Sequence, residues 1–147
     1  MVGVVKKPFS RQAYDLCDGP AKEVLTKLLV GRGHTIINAK ENYKVDIHSS
    51  KAGIEYFSEA EIKLAWKGDW PEHWEEIRIP ERKARLLKLH EKEVLNFYIF
   101  RSDMKQCWRI KDSELTPSRL REAKGRNIMK GEKFFHIPVS RAELITV

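Results

Sequence analysis

Asp46, Glu59, Glu61 and Lys63 are the residues of this chain whose types and spacing could do chemistry. They lie in the stretch KVDIHSSKAGIEYFSEAEIKLAW, from Lys44 to Trp66, which reads as two strands. Successive strand residues point to opposite sides. Phe57, Glu59, Glu61, Lys63 and Ala65 therefore share one face, and Tyr56, Ser58, Ala60, Ile62 and Leu64 the other. Three acids and a lysine on one strand pair suit a hard divalent cation held against a phosphate. Mg²⁺ takes oxygen ligands, and a lysine beside it can position water or an anion. The plainer alternative is an exposed sheet face decorated with cross-strand Lys–Glu pairs.

Register decides whether these groups meet. A two-residue turn at Ala52-Gly53 places Asp46 opposite Glu59, with Glu61 one diagonal step away, roughly 7 Å. A longer loop over Lys51 to Tyr56 places Asp46 opposite Glu61 instead. The two arrangements differ by an even step, so both keep the polar groups together, whereas a one-residue slip separates them.

At these residues the chain resembles the PD-(D/E)xK nuclease superfamily, which includes many restriction enzymes, phage nucleases and archaeal Holliday-junction resolvases. The pattern is an acid at the end of one strand and acid-x-lysine in the next, here Asp46 and then Glu61-Ile62-Lys63. Val45 stands where a proline is common. Glu59 permits a second alignment, Glu59-Ala60-Glu61, with a glutamate in place of the lysine. The resemblance implies a restriction-endonuclease-like fold and Mg²⁺- or Mn²⁺-dependent cutting of DNA. Asp46 and Glu61 would hold the metal with the Ile62 carbonyl, Glu59 would serve a second ion or a water, and Lys63 would orient the attacking water. It also implies that Arg82, Lys83 and Arg85, on the helix after the strand pair, contact phosphate. A further glutamate often stands on the first helix of such proteins. Glu23 is the one available, and helical geometry turns it away from the apolar stripe toward solvent.

The rest of the chain must position these groups. Its 147 residues suit one domain, residues 1–147, with a core that needs no disulfide or structural metal. Hydrophobic residues at 41% and charged residues at 33% predict a folded, soluble protein. No apolar run reaches the roughly 20 residues of a membrane span, and the first residues carry no secretory pattern. Cys17 and Cys107 are too isolated for a zinc motif or a disulfide framework. A reduced, cytoplasmic location is expected. The net charge of +7 points to a polyanionic partner, nucleic acid first.

Met1 to Cys17 reads as a basic leader ending in a short helix. Asp18-Gly19-Pro20 then opens a helix whose stripe is Ala21, Val24, Leu25, Leu28 and Leu29, and which ends at Gly31 or Gly33. His34 to Ala39 is a short strand, and Glu41-Asn42 a turn. His34 and His48 have no second histidine at metal-binding spacing, although His48 shares a face with Asp46. Trp66, Trp70 and Trp74 recur at four-residue intervals in a loop running to Pro80. They are expected to pack on the core, the sharper alternative being a stacking platform for bases.

Glu81 to His90 is predicted helical, with Leu86, Leu87 and Leu89 buried and Arg85 and Lys88 on the polar side. Asn96 to Phe100 and Lys105 to Ile110 are strands, and Ser118 to Lys124 a helix. Arg119 to Lys133, with Arg121, Lys124 and Arg126, reads as a basic loop able to follow a phosphate backbone. Lys133 to Val139 is predicted as an edge strand, and Ser140 to Glu143 as a helical turn.

This order predicts an α/β (α+β) domain with a mixed central sheet flanked by helices. The leading expectation is a Mg²⁺-dependent deoxyribonuclease, homodimeric if it cuts both strands, with junctions or flaps among its substrates. The alternatives are a non-catalytic nucleic-acid-binding module of the same fold, and an assembly protein that uses its tryptophan loop.

Overall fold

Lys51 pairs with Ile54 across Ala52-Gly53, so the organising hairpin closes with a two-residue turn. Both turn residues have positive φ, 53° at Ala52 and 79° at Gly53, the combination that matches the twist of tightly joined strands. The computed structural model describes residues 19–39, 45–123, 128 and 131–147. The basic leader, the Asp18 cap, the Glu41-Asn42 turn, Lys124 and Arg126 lie outside these residues.

Helix α1 (Gly19–Gly31) precedes strands β1 (Thr35–Asn38), β2 (Ile47–Lys51) and β3 (Ile54–Lys63). Strand β4 (Glu76–Pro80) turns through a 3-10 segment (Glu81–Lys83) into the short helix α2 (Ala84–Leu89). Then come β5 (Val94–Arg101), β6 (Gln106–Lys111), β7 (Leu120–Glu122), β8 (Lys133–Pro138) and β9 (Glu143–Thr146). A six-stranded sheet has the order β1-β2-β3-β5-β6-β9, and a three-stranded sheet the order β4-β8-β7. Within the large sheet β3 and β5 run parallel while its other pairs are antiparallel, so the fold is α+β with a mixed sheet.

Each face of the large sheet has its own core. On one, Ala21, Leu25 and Leu29 of α1 pack against Ile47, Ala60, Tyr98, Phe100, Cys107 and Ile145. On the other, Phe57, Leu95, Phe97, Ile99, Trp108 and Ile110 meet Ile77 and Ile79 of β4, Phe135 and Ile137 of β8, and Leu86 of α2. Covered on both sides, β5 is buried continuously from Leu95 to Phe100, as expected of a strand with a parallel neighbour in a layered fold. Trp66 is fully buried. Trp70 and Trp74 pack beside it, which bears out the expectation that this loop lies on the core.

Five expectations are corrected. The loop to Pro80 contains β4, whose Ile77 and Ile79 alternate with Glu76 and Arg78 and face the core. The predicted helix from Ser118 to Lys124 is a 3-10 turn at Pro117–Arg119 followed by β7. Three residues of pairing to β8 outweigh the weak helical preference of so short a segment. Strand β8 is the centre of the small sheet, not an edge, and Pro138 is tolerated because it stands at the strand's last position. The helical turn expected near the C-terminus is confined to Val139–Arg141, and β9 follows at the edge of the large sheet. In α2, Leu89 is half exposed, because so short a helix seats only Leu86 fully.

Candidate active site

Ile47 pairs with Ser58, so Asp46 arrives opposite Glu59 just outside the ladder. Two hydrogen bonds lock this end. The Asp46 N–H donates to Glu59 Oε2 at 2.8 Å, and the Ala60 N–H donates to Asp46 Oδ2 at 2.8 Å. Asp46 thus supplies with its side chain the acceptor that the next ladder residue would otherwise provide.

The 3-10 corner after β4 delivers the cations. Lys83 Nζ lies 2.7 Å from Glu59 Oε1 and 3.3 Å from Glu61 Oε1. Arg82 stands further out, 3.9 Å from Glu61 and 3.7 Å from the buried Glu132. Burial opposes the Lys83 charge, but the carboxylates of Glu61 and Glu59 overcome it and hold the ammonium above its ordinary pKa. Burial first, and the Glu59 carboxylate second, push Asp46 from 3.8 up to about 7, against the Ala60 N–H and Lys83. Three acids facing one close ammonium cannot all ionise cheaply in a dry site, so a proton stays in the cluster near neutral pH.

Lys63, two residues along the same face, turns elsewhere. Its Nζ lies 5.2 Å from the centroid of the Trp74 ring. Burial first and Arg78 second lower its pKa. Trp74 is fixed in turn, because the Trp70 Nε1–H donates to the Trp74 carbonyl at 2.6 Å and the two rings meet edge to face at 5.1 Å. Ile62 sits opposite Phe100 in the β3–β5 ladder, its side chain against the α1 core. Glu23 is exposed on α1.

Of the expected phosphate contacts, Arg85 and Lys88 are exposed on α2. Arg119 and Arg121 are bound to carboxylates, Arg119 Nη1 at 2.6 Å from Glu114 Oε1 and Arg121 Nη2 at 2.7 Å from Glu76 Oε2. Asp46, Glu59 and Glu61 thus meet as expected, but the lysine beside them is Lys83 and not Lys63. The alternation in Glu76-Ile77-Arg78-Ile79 was the available signal, since a strand there carries Lys83 back to β3.

The donor set is hard oxygen throughout, the chemistry Mg²⁺ or Mn²⁺ prefers. Among the described residues no three His, Cys, Asp or Glu side chains are already arranged to hold an ion. Lys83 and the retained proton balance the acids instead, and both are groups a divalent cation can replace. The donors fit a metal by chemistry, with rearrangement of Lys83. No protein-family model matches this chain, and no curated protein matches it significantly. No helix among the described residues is long and apolar enough to cross a membrane.

Proposed function

We propose that this protein is a metal-dependent nuclease of restriction-endonuclease-like fold that hydrolyses DNA phosphodiester bonds. The observation that carries the reading is the buried meeting of Asp46, Glu59 and Glu61 with Lys83 at the end of the β2–β3 ladder. Asp46, Glu59 and Glu61 would hold Mg²⁺ or Mn²⁺, with the Ile62 carbonyl as a further oxygen. The metal would supply Lewis-acid polarisation of the scissile phosphate. Asp46, whose carboxyl holds its proton up to about 7 without a divalent cation, would release that proton as it takes up its place as a ligand. Lys83, charged under all ordinary conditions, would balance charge building on the phosphate. Lys63 would orient water from its seat beside Trp74, and Arg82, Arg85 and Lys88 would meet flanking phosphates. Cleavage of both strands would call for two copies related by symmetry.

One observation favours a second reading. Lys83 already closes on Glu59 and Glu61, as it would in a purely structural cluster within a nucleic-acid-binding module. Incubation with supercoiled, linear, single-stranded and four-way-junction DNA, in Mg²⁺, Mn²⁺ or chelator, separates the two. A nuclease cuts only with metal, and Asp46→Asn and Glu59→Gln each lose about a hundredfold or more. Binding of DNA without cutting under any condition, unchanged in both variants, would select the binding module.

A further inference from the structure

Beside the acid cluster, on the same side of the sheet, lies a cavity of about 350 Å³ lined by Asn38, Val45, His48, Phe57, Leu89, His90 and Glu93. That volume falls at the small end of ligand sites, which span about 300–1,000 Å³. Three of the seven lining residues carry aromatic rings, and Val45 and Leu89 are aliphatic. His48, Phe57 and His90 form a stack, with centroids 4.3 Å and 4.2 Å apart and interplanar angles of 16° and 27°. His48 Nε2 is held 3.1 Å from Glu55 Oε1, which fixes the outer ring.

The polar complement suits a neutral heterocycle better than an anion. Among the described residues no lysine or arginine lines the cavity, and Glu93 would repel a phosphate inside it. His48 and Glu93 are the polar side chains that could meet an occupant's edge. His90 is buried with both ring nitrogens closed to solvent, so it contributes to the ring stack and not to the hydrogen bonds an occupant could make. Its Nδ1 lies 3.4 Å from Glu93 Oε1, in ion-pair range but without hydrogen-bond geometry.

Position supplies the rest. Val45 adjoins Asp46, and Phe57 precedes Glu59 by two residues on the same face of β3, about 7 Å away. Lys63 and the exposed Arg78 lie at the opposite end, beyond Glu61. Along this face of β3 the order is cavity, acids, cations, which matches base, scissile phosphate and flanking phosphate along one strand.

We propose that this cavity receives one unpaired nucleobase next to the scissile phosphate, so that the substrate is nucleic acid with single-stranded character at the cut. The inference rests on the nucleic-acid reading above and names its substrate class. Bases taken out of a duplex are bound by aromatic walls and edge hydrogen bonds, and sequence-tolerant base stacking is worth about 1–3 kcal/mol per base.

The test is fluorescence anisotropy of the full chain in chelator, with a labelled single strand, an abasic strand of equal length and charge, and a blunt duplex. The base-bearing strand should bind about tenfold tighter than the other two. Leu89→Trp, a bulky replacement at a half-exposed position on the cavity lining, should erase most of that margin, and His48→Ala should reduce it. Equal binding of base-bearing and abasic strands, or a margin unchanged in both variants, overturns the proposal even if the protein cuts DNA. A tenfold margin lost in Leu89→Trp, without cutting under any metal, upholds the cavity assignment while removing the nuclease reading. Absence of binding to all three overturns both.

Discussion

Two ionic clusters in this molecule use the same side-chain chemistry to opposite ends. At Glu114, one carboxylate meets two guanidinium groups, Arg119 Nη1 at 2.6 Å and Arg141 Nε at 3.1 Å. At the end of the β2–β3 ladder, three carboxyl groups converge on one close ammonium. Excess positive charge, led by the Arg119 hydrogen bond, holds Glu114 below its ordinary pKa. Burial first, and the neighbouring Glu59 carboxylate second, push Asp46 up to about 7. The first cluster ties three 3-10 segments together, Asp112–Glu114, Pro117–Arg119 and Val139–Arg141, and has no proton to move near neutrality. The second is poised to exchange one, and poise of that kind is a mark of functional sites.

The comparison is most directly broken at Lys83. Lys83→Ala leaves Glu59 and Glu61 facing each other without their close cation. Breaking a buried pair on one side costs about 3–5 kcal/mol. Urea unfolding at pH 8 should show a loss of this size, shrinking as acid protonates the cluster. A loss comparable to that of an exposed pair would mean the site is wetter than its geometry implies.

The pH dependences should have opposite signs. Asp46 binds its proton more tightly folded than unfolded, so its contribution is present in full below its ordinary value of 3.8. It is lost as pH rises from there to about 7. Asp46→Asn should flatten that decline, because the amide oxygen can still accept from Ala60 N–H. Glu114 contributes above its ordinary pKa of 4.5, and the contribution is lost as pH falls through its lowered folded value. Stability measured from pH 3 to pH 8 in Asp46→Asn and in Glu114→Gln checks the two signs.

At the other cluster the effects should be small. Arg119→Ala should cost about 1 kcal/mol or less, and less again in concentrated salt. Arg141, whose side chain is 57% exposed, should cost about 0.5 kcal/mol or less on replacement by alanine. Chemical denaturation with and without added salt measures both. A large value at Arg141 would show that the C-terminal 3-10 turn depends on this pair.

Local rules made much of this protein legible. Period-two alternation put Glu59, Glu61 and Lys63 on one face but left two registers open, and the Ala52-Gly53 turn that forms is the one that sets Asp46 against Glu59. The helix from Gly19 to Gly31 followed from its apolar stripe, and β5 from its aromatic and β-branched run. The small sheet was far less legible. Strand β7 has only three residues, and β4 lies in a stretch rich in tryptophan and turn residues. Each is a strand because β8 lies beside it. Strand β9 likewise exists through its pairing with β6.

The sequence by itself determined that three acids would gather on one face of a hairpin, because that needs only strand periodicity and either of two registers an even step apart. Which cation joins them was decided by tertiary structure alone. Lys63 shares their strand, yet its side chain reaches the Trp74 ring, while Lys83 arrives from 24 residues beyond Glu59. The path from Glu59 to Lys83 runs through β4, whose place depends on packing Ile77 and Ile79 against the large sheet. Contacts of that kind rest on buried area between distant segments, which no local pattern encodes.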